Sequence, residues 1–245
     1  MNKDMIMSLI ENPPSEYRAK PFWSWNGKLD REELLRQVEI LHEMGFGGFF
    51  MHSRTGLRTE YLGEEWFECV RACALKAKEF GMEAWLYDED RWPSGTCGGE
   101  VTRERKNRLR FVSLYDTDAE ALACPETAGI LARYNGFTYI DAMNREVTEL
   151  FLKSTHEKYA QYCGDLFGSV IKGIFTDEPH RGALFNGFGI NNANRARMAP
   201  YTAALPEAYR KKYGEELCFP LLYWRKKGED FNTAASAYVD VMDDL

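Results

Sequence analysis

Carboxylates and histidines gather at a few places in this chain, and each place follows a short apolar run. Ile171-Lys-Gly-Ile-Phe175 leads into Thr176, Asp177, Glu178 and Pro179, with His180 next. Glu83-Ala-Trp-Leu-Tyr87 leads into Asp88, Glu89, Asp90, Arg91 and Trp92. Gly47-Gly-Phe-Phe-Met-His52 leads into Ser53 and Arg54, and the run from Pro21 carries Trp23 and Trp25 around Ser24. A buried parallel strand reads this way, apolar through its body and polar at its C-terminal end. Pro179 lacks an amide hydrogen and stops the last run. In parallel barrels the C-terminal strand ends are where the chemistry is held.

Several carboxylates around one mouth suit hydrolysis of a glycosidic bond. One acid must be protonated to serve the leaving oxygen, and the other ionised as nucleophile or base. Like charges and partial burial separate the two pKa values. Glu178 is the expected general acid, with Asp177 beside it helping to keep it protonated. His52, Arg54, Asp88, Glu89, Asp90, Arg91 and His180 are expected to bind sugar hydroxyls, and one of the acids at 88–90 is a candidate second carboxylate. The indoles of Trp23, Trp25 and Trp92 are expected to stack on the apolar face of a pyranose. Blander readings stand beside each of these: a satisfied core histidine at 52, a turn at Asp177-Glu-Pro179, and tryptophans that simply fill the core. Two other functions fit the same residues. One is a barrel that binds sugar without cleaving it. The other is a metal-dependent aldolase or isomerase with His52, Asp88, Asp177 and His180 as ligands, although no HxH or HExxH spacing supports it.

The elements that would position these groups alternate between strand and helix. Asp30 and Glu33 make a capping-box start before Leu34, Leu35, Val38, Leu41 and Met44 at helical spacing. Gly45 then stands where a left-handed residue is wanted. Trp66, Val70, Ala74, Ala77 and Phe80 form the next apolar stripe, closed by Gly81. A third helix is expected from Asn144 as N-cap through Cys163. This order predicts a parallel α/β sheet with right-handed crossovers. Between about 108 and 142 the pattern changes. Short strands at Arg110–Tyr115, Ile130–Tyr134 and Gly136–Ile140 predict a small β insertion after the third strand, over the strand ends. After Pro179 the chain reads as loop through Asn192, then as helices from about Pro206 to Tyr213 and from about Thr233 onward. Leu217 to Trp224 is the best remaining strand candidate, interrupted by Pro220.

The composition is that of an ordinary globular domain, 44% hydrophobic and 28% charged over 245 residues. A net charge of -7 argues against a nucleic-acid partner. The basic run Arg103 to Arg110 is short, contains Glu104 and Leu109, and reads as a solvated face. No run approaches the roughly 20 apolar residues of a membrane span. No secretory signal is visible at Met1 to Ile10. The six cysteines form no CxxC pair and read as free thiols of a cytoplasmic protein. A closed (β/α)8 TIM barrel takes about 250 residues. Here about four barrel strands are legible, so residues 1–245 read as a single partial barrel domain, the N-terminal half. Its two open sheet edges are expected to promote self-association.

The segments PFWSWNGKLDREELLRQVEILHEMGFGGFFMHSRTGL, EAWLYDEDRWPSGTCGG and THEKYAQYCGDLFGSVIKGIFTDEPH resemble the catalytic barrel of large bacterial glycoside hydrolases. They are similar to the α-L-rhamnosidases of glycoside hydrolase family 106. The resemblance runs from about Pro21 to Leu222 and rests on WSWNG, YDEDRWPSG and FTDEP in this order. It implies an oligosaccharide or glycoside substrate containing a deoxyhexose or hexose. It also implies Glu178 as the acid, and a sugar pocket containing the Asp88–Trp92 turn and His52. Where related barrel glycosidases carry asparagine before the acid, this chain has Asp177. Calcium dependence is implied for some of these rhamnosidases. No calcium-loop signature occurs here, and no cofactor is expected.

Overall fold

The computed structural model describes residues 3–114, 122–124, 139–179, 197–217 and 229–245. In chain order its elements are α1 (Lys3–Glu11), β1 (Phe22–Trp25), α2 (Arg31–Glu43), β2 (Gly48–Ser53), α3 (Glu64–Glu79), β3 (Glu83–Tyr87), β4 (Arg110–Leu114), β5 (Leu122–Cys124), α4 (Arg145–Ser154), α5 (His156–Cys163), β6 (Ile171–Phe175), β7 (Arg197–Tyr201), α6 (Leu205–Tyr213) and α7 (Glu229–Asp244). They fall into two compact units. The first comprises residues 1–98 and 152–178, the second 99–151 and 179–245.

The first unit is built on a four-stranded, all-parallel sheet in the order β1-β2-β3-β6. Such a mixed α/β unit is consistent with part of an α/β barrel. The expected helix signals work as anticipated. The Asp30 side chain accepts the N–H of Glu33 at 2.9 Å, and Gly45 and Gly81 close their helices at φ +86° and +64°. The Glu33 carboxylate does not turn back to close a capping box. It takes Arg36 and Gln37 instead, and the other end of Gln37 accepts the indole N–H of Trp23.

Strand alternation sorts the sheet into two faces. One face packs beneath the helices, and its buried set includes Trp25, Phe49, Met51, Ala84 and Leu86 with Val38, Trp66, Phe67, Val70, Cys73 and Ala77 from α2 and α3. The other face carries a row Phe22, Phe50, Trp85 and Gly173, and above it a row Ser24, His52, Tyr87 and Phe175. Phe22 and Phe50 stack at 4.8 Å, and Phe175 meets Phe22 edge-on at 5.0 Å. This aromatic face is less covered, and Phe22 is 48% exposed. Gly173 is a glycine because a Cβ there would lie 2.6 Å from the Trp85 ring.

The third expected helix is two. It breaks at Thr155, which leaves helical geometry at φ -122° and ψ -76°. Asn144 does act as its cap, accepting the N–H of Glu146 at 3.0 Å. Apolar spacing continues across the break, so periodicity alone does not reveal it. The break places His156 in the first turn of α5.

The second unit contains a three-stranded antiparallel sheet, β5-β4-β7. β4 matches the expected strand at 110, whereas β5 and β7 were not anticipated. Pro200 disguises β7, and an edge strand tolerates it because its missing N–H faces away from the ladder. The expected strand at Ile130–Tyr134 lies outside the described residues, as does most of Gly136–Ile140 and Leu217–Trp224. Ile140 itself forms an isolated antiparallel bridge with Arg108. Leu205 and Tyr209 of α6 pack with Tyr238, Val241 and Met242 of α7. Lys212 ties the two helices through Asp240 and Asp244 at 2.6 and 2.7 Å. Among the described residues no helix is long and apolar enough to cross a membrane. Cys69, Cys73 and Cys163 are free and buried, and Cys97 is buried as well.

Candidate functional site

The C-terminal ends of β2, β3 and β6 converge on one cluster in the first unit. Its organiser is the loop that follows β3, residues 88–98. Glu89 is fully buried, and its carboxylate sits in a nest of main-chain N–H groups. Oε2 accepts the N–H groups of Gly95, Thr96 and Cys97 at 3.1, 2.6 and 2.8 Å, together with the Thr96 hydroxyl. Oε1 accepts those of Asp90 and Gly98 at 2.8 and 2.5 Å. Burial pushes Glu89 up to about 7, against the opposing pull of these donors. The glycines at 95 and 98 and the left-handed Cys97 (φ +51°) let the backbone curl around the acid. Glu89 thus serves the loop, and its carboxylate is not presented as a free acceptor.

Its neighbours tie the loop to the adjoining strands. Asp90 accepts the Ser53 hydroxyl at 2.6 Å and Arg91 Nε at 2.9 Å. Asp88 is fully buried and accepts the hydroxyls of Ser94 and Thr176 at 2.5 and 2.7 Å. His156 Nε2 lies 3.5 Å from Asp88 Oδ2. Burial raises the Asp88 pKa, opposed by its two hydroxyl donors and His156, and burial lowers that of His156, opposed by Asp88.

At the end of β6 the two adjacent acids turn to different partners. The Tyr87 hydroxyl donates to Asp177 Oδ2 at 2.7 Å. Burial, then the bond to Asp177, raises the Tyr87 phenol well above its ordinary range, so it remains a donor. Glu178 is exposed, accepts the Trp92 indole N–H at 2.9 Å, and adopts φ +45°. A left-handed conformation at a non-glycine residue costs of order 1–3 kcal/mol and is concentrated at functional sites.

His52 completes the cluster. Its ring centroid lies 3.8 Å from that of Tyr87, and it is only 5% exposed. Among the described residues neither ring nitrogen has a hydrogen-bond partner. Burial, with Arg54 adding, lowers its pKa to about 4 against the pull of Asp177 and Asp90. The imidazole is therefore neutral at pH 7, with one donor and one acceptor unused.

The structure brings His52, Asp88, Glu89, Asp90, Trp92, Asp177 and Glu178 together. It does not bring Trp23 and Trp25 to them. Both lie on the helix-facing side of the sheet, opposite His52. Trp25 is 2% exposed against Trp66, and Trp23 is bonded to Gln37. Arg54 is exposed and enters through its charge near His52. His180 lies outside the described residues. Sequence reasoning missed Tyr87, Ser94 and His156. Tyr87 shares the register row of His52, a signal that needs the strand pairing to be known. Among the described residues no three of His, Cys, Asp and Glu are placed to hold a metal ion.

No protein-family model matches this chain, and no curated protein does. Among solved structures it is similar to a rhamnosidase from Novosphingobium sp. PP1Y. The identity is 19% and the TM-score 0.34, over 43% of this chain. The match spans 11% of that rhamnosidase.

Proposed function

We propose that this chain carries the N-terminal half of a (β/α)8 glycoside hydrolase barrel and that the cluster at its strand ends binds a sugar and cleaves its glycosidic bond. Glu178 is the general acid, Asp177 the partner carboxylate, and Trp92, Asp90 and His52 line the sugar site. The observation that carries this reading is His52. Two unpartnered ring nitrogens at 5% exposure cost the fold about 1–3 kcal/mol each. A polyol satisfies both, because each hydroxyl donates and accepts. The aromatic face below, from Phe22 to Phe175, offers C–H packing to the same ligand.

His52→Phe tests it. Phenylalanine keeps the ring against Tyr87 and removes the orphan nitrogens. Folding stability at pH 7 should hold or rise by about 1 kcal/mol, while sugar affinity measured by calorimetry falls at least about tenfold. The pH dependence follows from the lowered pKa. The folded histidine titrates at about 4 and the unfolded one at 6.5, so the fold bears no protonation penalty above 6.5 and loses stability as pH falls from there through 4. That loss, about 3 kcal/mol, should vanish in the variant. A variant that binds sugar like the parent would remove His52 from the site.

A further inference from the structure

The two acids of the proposed site depend on a residue that touches neither carboxylate. Ser94 is 1% exposed in the 88–98 loop. Its main-chain N–H donates to the Asp177 carbonyl at 2.8 Å. Its hydroxyl accepts the Asp177 N–H at 2.8 Å and donates to Asp88 Oδ1 at 2.5 Å. Residue 177 is thus gripped at both its N–H and its carbonyl by one serine. The other oxygen of Asp88 takes the hydroxyl of Thr176, and the Asp88 N–H reaches the Phe175 carbonyl at 3.2 Å. Every residue from Phe175 to Asp177 is therefore pinned to the loop after β3. Immediately beyond the pin the backbone enters the left-handed conformation at Glu178.

We infer that Ser94 is a positioning residue, whose hydroxyl sets the aim of Asp177 towards Tyr87 and of Glu178 towards Trp92. The inference rests on the proposed roles of Asp177 and Glu178. A hydroxyl is the group that can do this, because it accepts from a peptide N–H while donating to a buried carboxylate. Alanine leaves the main-chain bond in place and removes the other two. The backbone of residue 177 is then held to Ser94 at one point instead of two, and Asp88 loses one of its two hydroxyl donors.

The experiment uses the 245-residue chain with Ser94→Ala and Ser94→Thr, and two readouts. The first is turnover of a panel of aryl glycosides. Misplacement of catalytic groups by about 1 Å costs on the order of 100-fold in rate, so kcat should fall about 100-fold in S94A with KM little changed, and S94T should restore most of it. The second needs no activity. The Trp92 indole 15N–1H resonance, assigned through Trp92→Phe, reports the hydrogen bond to Glu178, and its chemical shift should move in S94A and return in S94T. If S94A does not fold, Ser94→Cys, nearly isosteric and weak in hydrogen bonding, is read in the same way. A variant that folds, keeps the native Trp92 indole shift and keeps its kcat overturns the inference. Absence of turnover in the parent overturns the glycosidase reading, and the Trp92 indole shift still decides the role of Ser94.

Discussion

Glu178→Gln should separate substrates by their leaving groups. General acid catalysis contributes about 10²–10⁴-fold. That contribution is needed most when the departing oxygen is a poor leaving group. Alkyl glycosides and disaccharides should therefore lose about 10²–10⁴-fold in kcat. A nitrophenyl glycoside, whose phenolate leaves without a proton, should lose far less in the step that expels it. The amide still accepts the Trp92 N–H in place of Glu178 Oε2, so the turn and sugar affinity should persist. Glu178 is exposed, and thermal stability should stay near that of the parent. Equal losses across all leaving groups would move the acid elsewhere, and binding without any turnover in the parent would favour a sugar-binding domain.

Glu89→Gln should act through stability. Both oxygens of Glu89 are saturated, with four donors on Oε2 and two on Oε1. A glutamine has one acceptor oxygen. With that oxygen on the crowded side, its NH₂ faces the N–H groups of Asp90 and Gly98, donor against donor, without water to relieve it. Each stranded group costs about 1–3 kcal/mol, so the change should destabilise the fold by about 3 kcal/mol. Domains of this kind have about 5–15 kcal/mol in hand, so the loss is measurable by urea unfolding. The comparison belongs at pH 8.5, above the Glu89 pKa of about 7, where the parent carboxylate is ionised. Activity should fall as well, because the loop also carries Asp88, Trp92 and Ser94. A shift below about 0.5 kcal/mol, the range of ordinary surface substitutions, would show that the glycine-rich backbone holds its own shape.

The two variants bracket what could be read from sequence. The four parallel strands and the two helices after β1 and β2 were legible because apolar spacing, Asp30, Gly45 and Gly81 all agree locally. The placement of Asp177, Glu178 and His52 at strand ends followed from the same pattern. Trp23 and Trp25 were misplaced for a specific reason. Alternation shows that they share a face with each other, but a parallel sheet is apolar on both sides, so nothing local says which face. Glu89 illustrates a second limit. In sequence it is one of three consecutive acids. Only the closed loop distinguishes the one that anchors the backbone from the two that brace the strands. Ser94, Tyr87 and His156 depend on contacts across 83, 90 and 68 positions of chain, to Asp177, Asp177 and Asp88, and no local spacing encodes them.

The nest around Glu89 has a consequence for engineering. The main-chain N–H groups that close around this acid, from Asp90, Gly95, Thr96, Cys97 and Gly98, all come from the segment itself. The loop is thus a self-templating cassette, with its carboxylate nest closed from within and buried fastenings at Asp88, Asp90 and Ser94. Libraries that randomise Arg91 and Trp92 while keeping those three residues and Glu89 should retain the fold across many members. They would direct variation at the side chains beside Glu178 and leave its backbone support unchanged.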